Sequence, residues 1–187
     1  MISTTSHASS GSLADSASNP FVKAVAAAGL AVGVLDALDG VAFFGITAHQ
    51  NPIQVLQFIA SGFYGTAAFQ KGLSGALVGL VAHFFIAFAF AAIYVGAARF
   101  LPLSRRDAAM WGMIYGIAVF IVVNLVVLPH TAVVKSPFSL PLLLNGVLGH
   151  ALLVGLPIAL AARRITNQSS FSAHASKYKA RAFRSNS

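Results

Sequence analysis

Four long apolar runs constrain this chain more than any other feature of its sequence. They cover about residues 21–48, 73–99, 108–128 and 139–162. A helix needs roughly 20 apolar residues to cross the hydrocarbon core of a bilayer, and each run reaches that length. Because a backbone in lipid must satisfy its own hydrogen bonds, such runs fold as helices. The sequence therefore predicts an all-α integral membrane four-helix bundle.

The composition agrees with this fold class. Of the 187 residues, 57% are hydrophobic and only 9% are charged, whereas an ordinary soluble domain carries about 25% charged residues. The chain has no cysteine, which excludes disulfides and cysteine-ligated metals. The formal net charge is +8, but the basic residues lie at the ends of the apolar runs and in the tails. That distribution indicates contact with a membrane rather than with nucleic acid.

The segment between the first two runs, "NPIQVLQFIASGFYG", has helical periodicity of its own. Asn51 and Pro52 have the residue types of an N-cap and a first helical position. A helix over residues 53–65 is roughly 20 Å long, which is too short to span a bilayer. We therefore expect a short amphipathic helix that lies in the membrane interface or is re-entrant.

Charge distribution predicts the orientation in the membrane. With four spans, two basic residues fall on one side, Lys71 and Lys135, and ten fall on the other. The positive-inside rule then places both termini in the cytoplasm. We divide the chain into a disordered cytoplasmic tail (1–20), a four-span domain (21–164) and a basic cytoplasmic tail (165–187), which we expect to contact anionic lipid headgroups.

Polar side chains inside the spans are the candidate functional residues, because such residues are rare in lipid and usually face the bundle interior. The predicted cluster consists of Asp36, Asp39, His83, Asn124, Asn145 and His150. At about 1.5 Å per residue, Asp36, His83 and His150 lie roughly 16–18 Å from the outer ends of their spans. Glycines precede several of them by one turn and mark close helix contact. We expect Asp36 to meet both histidines.

Three functions remain open from the residues alone. The first is a structural or accessory membrane protein whose polar cluster fixes helix packing. The second is a small proton-coupled transporter or permease that uses Asp36, His83 and His150 and works as a homodimer. The third is a membrane haem-binding electron carrier with His83 and His150 as axial ligands. We expect the first, with no cofactor and no metal.

Enzyme motifs give little support to a catalytic function. "LDALDG" (35–40) has the first two aspartates of the membrane CDP-alcohol phosphotransferase signature, but the later pair of aspartates is missing. A hard cation needs more oxygen ligands than two carboxylates supply. The chain has no glutamate, so it has no H-E-x-x-H, and it has no G-x-S-x-G. The sequence therefore predicts that the protein is not an enzyme.

Four stretches resemble a family of small uncharacterised four-helix bacterial inner-membrane proteins over about residues 24–164. They are "NPIQVLQFIASGFYGTAAFQKG", "GLVAHFFIAFAFAAIYV", "YGIAVFIVVNLVVLP" and "GHALLVGLPIALAARR". The positions that match the family pattern are Asp36, Ser61 with Gly62, Gly79 with His83, and Asn124 with Pro129. Lys71 departs from the pattern, which often has a small residue there. The resemblance implies an inner-membrane location and four helices, and it implies no reaction.

Overall fold

A computed structural model describes residues 19–98, 100 and 105–164 of the chain. Within these residues the protein is all-helical and has no strand. It contains four helices that are long and apolar enough to cross a membrane, as the sequence predicts. Almost all of the two predicted tails, 1–20 and 165–187, lies outside the described residues.

Four long helices and one short helix follow one another along the chain, and the short helix lies between the first two long ones. Helix α1 is Pro20–Ala48, the short helix α2 is Pro52–Tyr64, and α3 is Gly72–Ala98. A 3-10 turn over Gly65–Gln70 connects α2 to α3. Helix α4 begins at Arg105 and ends at His130, and helix α5 is Leu140–Arg164. We call the end of the bundle that holds Pro20 and Arg164 the termini end, and the opposite end the loop end.

Local sequence explains where three helices begin. Asn19, Asn51 and Ser139 each accept a backbone hydrogen bond at an N-cap, and a proline follows within two residues. At α2 the cap is a full capping box, because the Gln54 side chain also accepts from the Asn51 backbone N–H at 2.9 Å. A capping side chain satisfies the first free N–H groups of a helix, and proline there loses no bond. The sequence prediction of α2 is therefore accurate at its start.

Small residues let α1, α3 and α5 pack closely at the termini end. The buried core there consists of Ala24, Ala28, Val32, Ala87, Ala91, Tyr94, Val95, Ala98, Val154, Ile158, Ala159 and Ala162. Helix α4 joins this core through Tyr115, whose hydroxyl donates to the Phe90 carbonyl oxygen at 2.8 Å. The Tyr94 and Tyr115 rings also stack edge to face at 4.9 Å. The termini end is therefore the tightly packed half of the bundle.

Glycines set the spacing of the helix pairs. Gly29 and Gly33 of α1 receive the rings of Phe88 and Phe84 from α3. Helices α4 and α5 come closer still. A Cβ at Gly116 would lie 2.7 Å from the His150 carbonyl carbon. Contact this close between backbones needs glycine, and the glycine stripes predicted from the sequence do mark contact faces.

Helix α2 packs its backbone against α3. A Cβ at Gly79 would lie 2.7 Å from the Leu56 carbonyl carbon, and a Cβ at Gly75 would lie 2.7 Å from the Ala68 carbonyl oxygen. Gly79 is seven residues into α3, which is roughly 10 Å from the loop end. Helix α2 therefore reaches well along α3 rather than covering only its tip.

Helices α4 and α5, which have a proline beyond their first turn, widen locally before that proline. Val123–Val127 precedes Pro129, and His150–Gly155 precedes Pro157, and each of these stretches is a π-helical turn. Proline cannot donate a backbone hydrogen bond, so the helix must rearrange nearby. A π turn is one such rearrangement and is often found at functional sites. Pro157 therefore acts on α5 at the turn that begins with His150.

Candidate functional site

The first two members of the predicted cluster meet between α1 and α3. His83 Nδ1 lies 4.0 Å from Asp36 Oδ2, with 11% of the His83 side chain and 27% of the Asp36 side chain exposed. The depth estimate from the sequence placed these two residues at one level, and the structure brings them together. Because more than a quarter of the Asp36 side chain is exposed, protein encloses this pair only in part.

The backbone of α1 fixes the tautomer of His83. Its Nε2 lies 2.8 Å from the Gly33 carbonyl oxygen. A carbonyl oxygen only accepts, so Nε2 must carry the hydrogen and donate. Nδ1 is then the ring nitrogen without a hydrogen, and it faces Asp36. Their 4.0 Å separation is longer than a hydrogen bond, so the imidazole and the carboxylate are in polar contact without a hydrogen bond.

The second carboxylate of α1 turns toward a different helix. Asp39 Oδ2 accepts a hydrogen bond from Asn145 Nδ2 of α5 at 2.8 Å. A Cβ at Gly149 would lie 3.0 Å from the same oxygen, so glycine makes room for the carboxylate. Three residues along a helix correspond to a rotation of about 300°, so Asp36 and Asp39 point only about 60° apart and lie between the two neighbouring helices. Helix α1 is thus tied to α3 by one aspartate and to α5 by the next.

His150 lies in a different environment from the one we expect. Its Nδ1 donates to the Gly146 carbonyl oxygen of its own helix at 2.9 Å. Its ring packs edge to face on Phe120 of α4, with the ring centroids 5.4 Å apart. The structure therefore places His150 against α4. Of the two histidines that we expect to meet Asp36, only His83 contacts it.

Asn124 does not join the cluster. Its side chain is exposed, and Nδ2 donates to the Phe120 carbonyl oxygen of its own helix at 2.9 Å. Asn124 is separated by steps of four residues from Phe120, Gly116 and Gly112, a spacing that suggests one helix face. Each step of four residues advances a stripe by about 40° around the helix, so three steps turn Asn124 by about 120°. This drift carries Asn124 away from α5 and onto the open side of α4.

Two buried polar residues at the loop end were missed as site residues. Gln57 of α2 is 4% exposed and donates through Nε2 to the Gly72 carbonyl oxygen at 2.8 Å. Ser61 is fully buried, and its Oγ accepts from the Val134 backbone N–H at 3.1 Å. The signal for both was available, because they share the polar face of the amphipathic stretch that predicts α2.

Ser61 belongs to a longer attachment between α2 and the connection that follows α4. We call residues 131–139 the strap, because they run without helix from α4 to α5. The Ala132 N–H donates to the Gly62 carbonyl oxygen at 2.9 Å, next to the bond between Val134 and Ser61. These two bonds fasten the strap to α2. The pair Ser61 and Gly62 therefore connects the two halves of the bundle at the loop end.

The site consists of polar contacts between helices. Among residues 19–98, 100 and 105–164, no three His or Asp side chains are grouped in a way that could hold a metal ion. The Nδ1 atom of His83 faces the Asp36 carboxylate, whereas the Nδ1 atom of His150 bonds to Gly146 of its own helix. Of the two histidines, only His83 thus links α1 to a neighbouring helix.

Comparisons with protein-family models, with curated proteins and with solved structures give no match for this chain. The resemblance drawn from the sequence motifs therefore receives no support from them.

Proposed function

We propose that this chain is a multi-pass protein of the bacterial inner membrane with a structural or accessory role, in which polar ties set how its helices pack. Lipid contact is supported by burial. In the most hydrophobic window of each long helix, only 17% to 33% of residues are buried within the protein. The outward side chains include Leu38, Phe85 and Leu125, which are 61%, 73% and 71% exposed. Lipid is the medium that covers such surfaces without cost.

The placement of α2 supports a re-entrant or deeply seated helix. Its Leu56 carbonyl meets Gly79 roughly 10 Å from the loop end of α3, measured at about 1.5 Å per residue. Its buried polar groups, Gln57 and Ser61, are hydrogen-bonded to other parts of the chain. A short helix can enter the membrane when its polar side chains are hydrogen-bonded within the protein and do not face lipid.

One observation carries the structural role: each of the two carboxylates of α1 is turned toward a different neighbouring helix. Asp39 bonds to Asn145 of α5, and Asp36 faces His83 of α3. Interhelical polar contacts in membranes contribute about 0.6 kcal/mol each on average and up to about 2 kcal/mol. Two such ties fix the rotation and register of α1 between its neighbours.

The test compares passive packing with proton movement. The full-length protein is reconstituted in vesicles that contain a pH-sensitive dye, and a proton gradient is applied. For a structural role, we expect wild-type vesicles and Asp36→Asn vesicles to acidify at the rate of protein-free vesicles. Because asparagine keeps an oxygen acceptor, the variant should also remain folded. A wild-type proton flux that Asp36→Asn abolishes would overturn the structural proposal.

Proton-coupled transport is the second candidate, and the Asp36–His83 pair favours it specifically. The Gly33 carbonyl holds Nε2 as a donor, so Nδ1 is the ring nitrogen that faces Asp36. A carboxylate beside an imidazole inside the bundle, with 27% of the Asp36 side chain exposed, is the kind of pair that a proton-coupled step needs. His83→Gln is the matched variant: its amide can still donate to Gly33, but it cannot be protonated.

The haem alternative is the least supported. Axial histidines bind iron through one ring nitrogen while the other donates to an acceptor. His150 has this arrangement, with Nδ1 directed to Gly146. In His83 it is Nε2 that is committed to Gly33, and Nδ1 points at Asp36. A bis-histidine site would need the free nitrogens of both rings to face one iron, whereas that of His83 faces Asp36 and the His150 ring packs on Phe120 of α4.

A further inference from the structure

The open side of α4 carries a coiled-coil repeat that the fold leaves unused. Exposed residues recur along this helix at alternating steps of four and three: Met110, Ile114, Ile117, Ile121 and Asn124. This spacing is the a/d pattern of a heptad repeat, which keeps one stripe facing a partner helix. The four apolar members are 36% to 48% exposed. We call these five residues the α4 seam.

The α4 seam lies opposite the side of α4 that packs on α5. Ala108, Gly112, Gly116 and Val119 are buried on that other side, and Gly112 and Gly116 touch the α5 backbone. At about 100° per residue the two sets point in nearly opposite directions. Helix α4 therefore has one interface that is used within the chain and one that faces outward.

Asn124 makes lipid a poor occupant of the α4 seam. Its Nδ2 donates to the Phe120 carbonyl oxygen of the same helix. The side chain is exposed, and its Oδ1 has no bonding partner among the described residues. Acyl chains cannot donate a hydrogen bond to that oxygen, and an unsatisfied polar group in hydrocarbon is costly. A partner with a donor at the same depth would satisfy it.

We propose that the α4 seam is the interface of a two-fold symmetric homodimer in the membrane. This inference rests on the proposed membrane location. All copies of a chain have one orientation in the bilayer, so a two-fold axis along the membrane normal sets α4 parallel to α4 of the second copy. Identical residues then meet in register, and each Asn124 finds the amide of its counterpart. In this repeat Ile114 and Ile121 are a positions and Asn124 is a d position, and a register that set Asn124 against an apolar residue would leave its carboxamide oxygen without a donor.

The absence of cysteine from the chain makes the test direct. Single cysteines are introduced into the full-length protein at Ile117, Ile121 and Asn124 of the α4 seam. Matched controls are placed on the same helix and at the same depth, at Ala118 and Val122, which are exposed but point about 80–120° away from the seam. Membranes from expressing cells are oxidised with copper phenanthroline and analysed without reductant.

We expect disulfide dimers at the three seam positions, at a yield several-fold above that of the two controls. Equal crosslinking at all five positions, no crosslinking, or crosslinks only to other proteins would overturn the proposal. A chain that leaves the membranes on alkaline washing would overturn the membrane location as well, so the two failures are distinguishable.

A second measurement isolates the role of the asparagine. The dimer dissociation constant of fluorescently labelled protein is measured by energy transfer in vesicles. Interhelical polar contacts of about 0.6–2 kcal/mol correspond to about a threefold to thirtyfold change in this constant. Asn124→Leu should therefore raise the dissociation constant about tenfold, and Val122→Leu should leave it unchanged. An unchanged value for Asn124→Leu would remove Asn124 from the interface.

Discussion

Gly116→Ala is the substitution that most directly tests how α4 and α5 are held together. A Cβ at this position would lie 2.7 Å from the His150 carbonyl carbon and 2.9 Å from the Ala151 Cα. Carbon atoms pack best at about 3.5–4.0 Å, so the two helices must separate by about 1 Å. Both atoms belong to the backbone and cannot turn aside as a flexible side chain can.

The size of the effect follows from that displacement. A gap of about 0.5–1 Å removes a quarter to a half of the dispersion energy of each contact that it widens. Overpacking typically costs about 1–3 kcal/mol, and the better helix propensity of alanine returns up to about 1 kcal/mol. We therefore expect Gly116→Ala to lower the free energy of unfolding by about 1–2 kcal/mol.

The matched control is Gly96→Ala in α3. Its Cβ would meet no atom within 4 Å. It gains helix propensity without a clash, so we expect no loss and a gain of up to about 1 kcal/mol. The free energies of unfolding of the two variants should thus differ by about 2 kcal/mol, with Gly116→Ala below the wild type and Gly96→Ala at or above it.

Unfolding in mixed detergent micelles measures both variants. The chain has one tryptophan, Trp111, which lies on α4 next to the contact face and reports the separation of α4 by fluorescence. Far-UV circular dichroism reports the loss of helix in the same samples. If Gly116→Ala were as stable as Gly96→Ala, the close backbone contact would not be a real constraint and the reasoning would be wrong.

Three further predictions concern the ties at the loop end and the topology. Asn145→Ala should destabilise the bundle by about 1 kcal/mol through loss of its bond to Asp39, and a double-mutant cycle with Asp39→Ala should show that the two losses are not additive. Ser61→Ala should release the strap and speed proteolysis there, whereas Ser74→Ala, at an exposed serine that bonds within its own turn, should not. A cysteine at Lys135 should react with a membrane-impermeant maleimide in intact cells, and protection until the cells are opened would contradict the predicted orientation.

The four long helices could be predicted because their signal is local. Each apolar run is long enough by itself to cross a bilayer, and a proline follows the N-caps Asn19 and Ser139 within two residues. The meeting of Asp36 and His83 could also be predicted, because antiparallel neighbouring spans bring residues at equal depth together. The structure places Nδ1 of His83 4.0 Å from Oδ2 of Asp36.

Other features lay beyond sequence reasoning for physical reasons. The bond between Ser61 and Val134 joins residues 73 apart, and the bond between Asp39 and Asn145 joins residues 106 apart. No local pattern specifies which of several polar residues will pair over such distances. Asn124 shows a different failure, because a stripe of every fourth residue drifts around the helix and stops marking one face after about two turns.

The strap implies an order of assembly. It leaves α4 and docks on α2, so its docking site is complete once the chain has been made as far as α3. Because chains emerge from the ribosome N-terminus first, Ser61 and Gly62 can be in place before the strap is synthesised. The last helix would then enter the membrane tethered beside its final neighbours. In this protein a short helix that spans nothing would serve as the template on which the second half of the molecule is positioned.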